Sequence, residues 1–310
     1  MSPLISILVP AYQAEKTIRR CLDSVLSQSC DNYEVVVIDD GSTDSTLSIC
    51  KEFCIDNKVR LYTQENSGIA YTRQRLVELA KGIYLQFVDS DDWVEANLVE
   101  LHSKILSERN CDIIISDFVL EKPKSSIYRS QKPTSLTTDA LITDISSPKL
   151  LGVLWNKLIK KDLFEGLKIP NLRYCEDWSI CVQLFMRAKV FHYLGIALYH
   201  YDNSIVNNSL TRNINKESFK SREQYVDYLK SMNFDKLYSK EFHSQVAGIA
   251  YTAVLHNIYS DEEFFKRFKN ISFWNNYNAI SKKFILLLTL ILSPSIISKI
   301  YFRIRKLITR

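Results

Sequence analysis

With 310 residues, 46% of them hydrophobic, the chain is long enough to bury one substantial core plus an annex, and its composition excludes disordered and collagen-like classes. The net charge of +5 belongs to one end: residues 281–310 hold seven Lys or Arg and no acid, leaving 33 cations against 35 acids before them. That division argues against a nucleic-acid-binding body and for a tail with an anionic partner. The opening residues lead straight into a strand pattern without a secretory signal, which predicts a cytoplasmic location. Seven cysteines, none in a Cys-x-x-Cys pair, read as reduced and mostly core, with Cys50 and Cys54 on the apolar side of one helix.

In chain order, Ile5 to Val9 is a short apolar run closed by Pro10. Ile18, Cys21, Leu22, Val25 and Leu26 then recur at the spacing of an amphipathic helix. Val35 to Ile38 is the next run, closed by Asp39-Asp40-Gly41-Ser42, and Thr43 or Asp44 can cap a helix that buries Leu47, Cys50, Phe53 and Cys54. Val59 to Tyr62, Ile83 to Val88 and Asp112 to Val119 follow as strands, with helices at Gly68 to Ala80 and Asn97 to Leu106 between them. Strands alternating with helices predict an α/β fold built on a largely parallel sheet with helices on both faces. Ligands of such sheets bind beyond the carboxyl ends of the strands, and three of these ends carry polar residues.

The stretch Phe87-Val88-Asp89-Ser90-Asp91-Asp92-Trp93 places three carboxylates within four residues at the end of an apolar strand. Such hard oxygen ligands suit Mg2+ or Mn2+ with positions left for phosphate oxygens. The competing reading is an acidic helix N-terminus capped by Asp91 or Asp92. Only seven glycines occur, and neither Gly-x-Gly-x-x-Gly nor Gly-x-x-x-x-Gly-Lys-Ser/Thr is present. A glycine loop that cradles phosphate is therefore not expected, which favours a metal at the diphosphate and opposes a nicotinamide-dependent oxidoreductase.

The blocks Ser6-Ile7-Leu8-Val9-Pro10-Ala11-Tyr12, Val36 to Asp44, Asn66-Ser67-Gly68 with Arg73, and Asp89-Ser90-Asp91-Asp92-Trp93 together resemble family 2 glycosyltransferases of the GT-A fold. Trp155-Asn156-Lys157-Leu158 followed by Glu176-Asp177-Trp178 looks like the acceptor half of that family, and the resemblance covers about Pro3 to Asn203. It implies an inverting, metal-dependent transfer of sugar from a nucleotide diphosphate donor, with UDP the expected nucleotide, to a saccharide or lipid-linked saccharide in bacterial surface-polysaccharide assembly. Donor binding is implied for Pro10, Ala11, Tyr12, Glu15, Asp40, Arg73, Ser90 and Asp92. Tyr12 would lay its ring on the base, and Asp40 would accept from the uracil imide. Asp89 and Asp91 match the Asp-x-Asp metal pair, with Mn2+ or Mg2+ as the ion.

Asp177 is implied as the general base, with Glu176 beside it as the next candidate. Taken on spacing alone, both are also ordinary acids at a helix N-terminus. Trp93, Trp155, Asn156 and Trp178 are implied at the acceptor, with core packing as the rival role for the tryptophans. Gln13 and Gln74 stand where the family usually has Asn.

The domain reading is a catalytic domain at 1–212, with a donor part at 1–119 and an acceptor part at 139–212, a helical extension at 213–280 and a basic tail at 281–310. Leu120 to Asp139, rich in Lys, Pro, Ser and Thr, reads as a mobile connection or an edge excursion near the acceptor side, and Ser204 to Arg212 as a polar loop able to cover donor. His200 is a further metal-ligand candidate, against an ordinary strand histidine. In the tail, Phe284 to Leu292 is too short to span a membrane, and Pro294 follows it. Lys299, Arg303, Lys306 and Arg310 then form one stripe opposite Ile297, Ile300, Ile304, Leu307 and Ile308. This is the pattern of a helix lying on an anionic membrane surface, and a helix docked on the domain is the alternative. A non-catalytic nucleotide-sugar or membrane-binding module is the other reading of the whole chain.

Overall fold

The computed structural model describes residues 3–147, 149–167, 169–172, 174–204, 216–268 and 293–299. Two compact units result, the first formed by Met1–Asn171 with Glu176–Asn208 and the second by Leu172–Cys175 with Ser209–Arg310.

The first unit is built on one sheet. Strands β1 (Ile5–Ala11), β2 (Tyr33–Asp39), β3 (Val59–Thr63) and β4 (Tyr84–Phe87) run parallel in the order β3-β2-β1-β4. Every residue of β1 and β2 is buried, as expected of strands covered on both faces. Between them lie α1 (Ile18–Leu26), α2 (Thr46–Phe53) and α3 (Ile69–Leu79). Helix α1 buries Ile18, Cys21, Leu22 and Val25, the stripe its spacing predicts. In register, Ala11 pairs with Asp39 and Leu8 with Phe87, so the polar ends of β1, β2 and β4 emerge at the same edge of the sheet.

Beyond β4 the sheet becomes mixed. Strand β5 (Trp93–Val94) leads to α4 (Leu98–Glu108), β6 (Ile113–Lys122), β7 (Ser125–Arg129), α5 (Thr138–Ile145), β8 (Lys157–Lys160), α6 (Glu176–Arg187) and β9 (Phe191–Asp202). Strand β8 runs antiparallel to both β4 and β6, β9 is parallel to β6, and β5 is antiparallel to β9. Of the two readings of Leu120 to Asp139, its first part is the edge excursion: a hairpin in which Lys122 pairs with Ser125 and Phe118 with Arg129. Strand β7 is almost wholly exposed, so no apolar alternation announces it in the sequence.

The second unit is helical, with α7 (Lys216–Ser231), α8 (Phe234–Leu237), α9 (Ser239–Leu255) and α10 (Asp261–Phe268). Residues 294–299 are also helical, and here Ile297 is buried while the Ser298 hydroxyl donates to Leu255 O at 3.2 Å. Ile297 of this turn points inward, and Ile296 is 46% exposed. Residues 205–212 of the expected covering loop, the run Phe284 to Leu292 and the stripe residues Ile300, Arg303, Ile304, Lys306, Leu307, Ile308 and Arg310 lie outside the described residues. Among the described residues no helix is long and apolar enough to cross a membrane.

Candidate active site

The turn after β4 is held by its backbone and by its third acid. Asp92 is 0% exposed. It accepts from the Tyr199 hydroxyl at 2.6 Å and from the Asp202 N–H at 2.7 Å. The Tyr199 oxygen in turn accepts from the Asp89 N–H at 3.1 Å. Arg20 donates to the Asp91 carbonyl at 2.6 Å and to the Asp202 carboxylate at 2.7 Å, with its guanidinium 4.0 Å from the Trp93 ring. These contacts fix the turn without using the Asp89 or Asp91 side chains. The Asp91 side chain reaches solvent, yet the protein mass around it and the nearby Asp89 charge push its carboxyl up to about 6. Burial and the charges of Asp91 and Asp89 push Asp92 well above the carboxylate range.

Arg73 joins this turn to α6. Only 4% exposed, its guanidinium contacts Asp89 at 3.2 Å, Glu176 at 2.6 Å and the Asp177 carboxylate. Its Nε has no partner among the described residues. One buried cation thus faces three carboxylates. The Asp177 carboxyl is pushed up to about 7: burial is the main cause, Arg73 opposes it, and Glu176 and Asp89 add to it. A carboxyl so placed can accept a proton near neutral pH, as a general base must.

At the donor end, Pro10 and Ala11 are buried strand residues, while Tyr12 is 50% exposed and offers a ring at the strand end. Asp40 is buried and accepts from Ser67 N at 2.9 Å, Gly68 N at 2.9 Å and Gln64 Nε2 at 2.7 Å. It therefore anchors the start of α3, a local job beside the base-reading role that the resemblance implies. Positive φ at Gly41 and Gly68 shapes this junction, and a Cβ on Gly41 would stand 2.7 Å from the Asn66 nitrogen. Glu15 is exposed and accepts from Ser45 N at 3.2 Å. Ser90 is half-buried.

The structure corrects several sequence-based roles. Asp92 has both oxygens taken inside the protein, so it supports the Asp-x-Asp turn from behind and offers no oxygen to a donor. Trp155 is 4% exposed and packs on Phe118, Tyr199 and Tyr201 with centroids 4.9, 4.5 and 5.6 Å away, so its ring is core and not an acceptor platform. Asn156 is buried and donates to Ser116 O at 3.2 Å. Trp178 is buried with its indole N–H on Ile145 O at 2.8 Å. Trp93 is stacked on His200 with ring centroids 5.0 Å apart and also carries the Arg20 guanidinium, so its ring is engaged within the protein. His200 meets Glu121 at 2.8 Å and Glu95 at 2.9 Å through its two ring nitrogens, which leaves none for a metal.

Arg20, Tyr199 and Asp202 were not legible as site residues, since an arginine on an amphipathic helix and a strand tyrosine carry no spacing signal. Among the described residues no group of three or more His, Cys, Asp or Glu is placed to hold a metal. Asp89 and Asp91 nonetheless fit a divalent ion, being hard oxygen donors on one turn whose mutual repulsion a cation would relieve.

The sequence matches the family described as Glycosyl transferase family 2 over residues 6–167. It is 31% identical over 209 residues to the glycosyltransferase GlyA of Streptococcus pneumoniae, covering 64% of this chain and 30% of GlyA. It is 30% identical over 215 residues to TuaG of Bacillus subtilis, named for teichuronic acid biosynthesis, covering 68% of this chain and 82% of TuaG. The chain thus spans less than a third of one relative's length and most of the other's. Its fold is similar to that of S. aureus TarS in complex with UDP-GlcNAc, with TM-score 0.65 at 16% identity over 92% of this chain and 91% of that one. It is also similar to the mannosyltransferase PcManGT of Pyrobaculum calidifontis in complex with GDP-Man and Mn2+, with TM-score 0.55 at 15% identity over 97% and 84% of the two chains. The chain belongs to glycosyl transferase family 2 and takes the GT-A fold.

Proposed function

We propose that this chain transfers a sugar from a nucleotide diphosphate, UDP first among them, to a hydroxyl of a saccharide or lipid-linked saccharide, with inversion at the anomeric carbon. The observation that carries the reading is the shared guanidinium of Arg73, which puts the Asp-x-Asp turn and the Glu176-Asp177 pair in one site. Asp177 takes the acceptor proton, at a carboxyl whose surroundings keep its affinity for protons near neutral. Glu176 stays beside it on Arg73 and holds the guanidinium in place. Tyr12 offers its exposed ring to the base. A divalent ion held by Asp89 and Asp91 would supply Lewis-acid neutralisation of the departing diphosphate. TarS bound to UDP-GlcNAc and PcManGT bound to GDP-Man and Mn2+ support a nucleotide-sugar donor and a metal.

The test is a screen of labelled sugar nucleotides with Mn2+ or Mg2+, scoring hydrolysis and transfer. Turnover of one donor that stops in chelator is the expected result. Donor binding without any turnover across the screen would favour the non-catalytic module instead.

The basic stretch at 281–310 is read in the same proposal as contact with an anionic membrane surface on the cytoplasmic side, because seven cations without an acid exceed what solubility needs. Co-sedimentation of the full chain with anionic but not neutral vesicles, weakened by salt, is expected. Equal recovery in both supernatants would remove it.

A further inference from the structure

Gly152, in the connection between α5 and β8, is pressed against the helix that begins with Glu176 and Asp177. A Cβ built on it would stand 2.4 Å from Trp178 Cδ1, 3.0 Å from Trp178 Cγ and 3.3 Å from the Trp178 Cα. The chain has only seven glycines, and positive φ among those described is confined to Gly41, Gly68 and Gly166. The backbone at 152 is therefore one that other residues adopt, and what the position requires of glycine is the missing side chain.

Trp178 follows Asp177 in the first turn of α6 and is itself held, 7% exposed with its indole N–H on Ile145 O at 2.8 Å. Swinging the indole aside to admit a side chain at 152 would break that bond, so the strain falls on the helix backbone, which Gly152 also faces at the Trp178 Cα. Three residues further along α6, the Cys181 thiol donates to Val153 O at 3.4 Å. At the other end of the same segment, Gln86 on β4 donates from Nε2 to Trp155 O at 2.6 Å. Residues 152–155 thus bridge the strand that leads into the Asp-x-Asp turn and the helix that starts at Glu176.

We infer that Gly152 is a positioning residue for the Glu176-Asp177 pair: its bare backbone lets the first turn of α6 close onto residues 152–155, and this contact sets how far Asp177 stands from the Asp-x-Asp turn and so from the donor. The inference rests on the reading of Asp177 as the base. Arg73 draws the two acidic groups together, meeting Asp89 at 3.2 Å and Glu176 at 2.6 Å, but attraction through a long side chain does not fix a distance. Backbone packed on a tethered ring does, because a close-packed interior resists compression. Carbon atoms pack at about 3.5–4.0 Å, so a methyl group at 152 forces the first turn of α6 and residues 152–155 apart by about 1 Å.

The experiment measures kcat and donor affinity for Gly152→Ala, Trp178→Leu, the double variant and Asp177→Asn in the full chain, using the donor found active in the screen. Gly152→Ala is expected to lower kcat by a factor on the order of 10 to 10², the cost of a base displaced by about 1 Å, while donor affinity stays within about twofold. In the Trp178→Leu background the ring that the methyl group strikes is gone, so the same substitution should cost little further. Leu184→Ala, a truncation at a buried position of the same helix, serves as the stability control and should lower the melting temperature while keeping kcat. Normal kcat in a folded Gly152→Ala protein, with Asp177→Asn inactive, would overturn the role of Gly152 alone, as would an equal loss in both backgrounds or the same fall in Leu184→Ala. Full transfer by Asp177→Asn would remove the base assignment and this inference with it. Where Gly152→Ala does not fold, Trp178→Phe decides: the smaller ring leaves the helix turn loose against Gly152, so kcat should fall with donor affinity held, and an unchanged kcat overturns the inference.

Discussion

Arg73 and Asp177 lie 104 positions apart and meet in a part-buried ion pair, although their helices, α3 and α6, share no strand or loop. Arg73 also holds Glu176 and Asp89, so removing it strands three carboxylates at once. Arg73→Met is expected to destabilise the fold at pH 8 by less than the about 3–5 kcal/mol of a fully buried pair broken from one side, because the three acids keep partial access to water. The loss should shrink at pH 5, where the stranded carboxyls take up protons. Urea denaturation at the two pH values checks this, and an equal loss at both would mean that the three acids are not coupled through Arg73.

The pH dependence of the wild type follows from Asp177. Its carboxyl binds protons more tightly in the fold, at about 7 against an ordinary 3.8. The stability this contributes is therefore fully present below about pH 4 and lost as pH rises through about 7. Activity runs the other way, because the base works only when deprotonated, so kcat/KM of the free enzyme should rise through pH 7 and level off. Asp177→Asn should remove both slopes, and a rate profile flat from pH 5 to 8 in the wild type would contradict the assignment.

Much of this site was legible in advance because its chemistry sits at strand ends. Apolar runs terminated by Asp39-Asp40 and by Asp89-Ser90-Asp91-Asp92 announce where β2 and β4 stop, and parallel pairing then brings those ends together. What could not be read is which way each side chain turns. Asp91 and Asp92 are neighbours of the same type, yet one reaches solvent and the other is sealed beneath Tyr199, a residue 107 positions from Asp92 that arrives through the pairing of β9 with β5 and β6. The resemblance of the 155–158 block points Trp155 and Asn156 to the acceptor, and it carries no sign of the Phe118, Tyr199, Tyr201 and Ser116 partners that bury them. The hairpin of β7 escaped because an edge strand exposed on nearly every residue has no alternation to detect.

Binding of a divalent ion should be visible without turnover. An ion present at about 100 times its dissociation constant stabilises the fold by about 2.7 kcal/mol. Mn2+ or Mg2+ is thus expected to raise the melting temperature of the wild type and to leave Asp91→Asn unchanged. The Asp91 carboxyl at about 6 adds a pH signature, since the proton competes with the metal and the shift should fade below pH 6. A shift of the same size in Asp91→Asn would place the ion elsewhere.

Tyr199→Phe removes one hydroxyl that serves two partners, donating to Asp92 and accepting from the Asp89 N–H. Leaving a buried carboxyl and a backbone N–H short of a partner should cost about 1–3 kcal/mol. Because the same hydroxyl fixes the Asp89 end of the turn, the variant is also expected to bind donor and ion more weakly, with acceptor KM little changed. Calorimetric titration with nucleotide and Mn2+ measures this. An unaltered affinity in the destabilised protein would show that the clamp serves the fold alone.

The strongest contrast between the sequence and structural readings concerns Trp155. As an acceptor platform, its replacement would raise acceptor KM and spare stability. As a core ring stacked on Tyr199 at 4.5 Å and Tyr201 at 5.6 Å, its truncation to Ala should cost about 3–5 kcal/mol. The stacking carries the effect toward the donor, because Tyr199 is the residue that holds Asp92 and the Asp89 N–H. Trp155→Leu, which keeps bulk without the ring, is therefore expected to loosen donor binding before it alters acceptor KM. Its stability loss should also combine non-additively with that of Tyr199→Phe, since the two side chains are in contact. A raised acceptor KM with unchanged melting temperature would restore Trp155 to the acceptor site, whereas additive losses would separate it from the Tyr199 clamp.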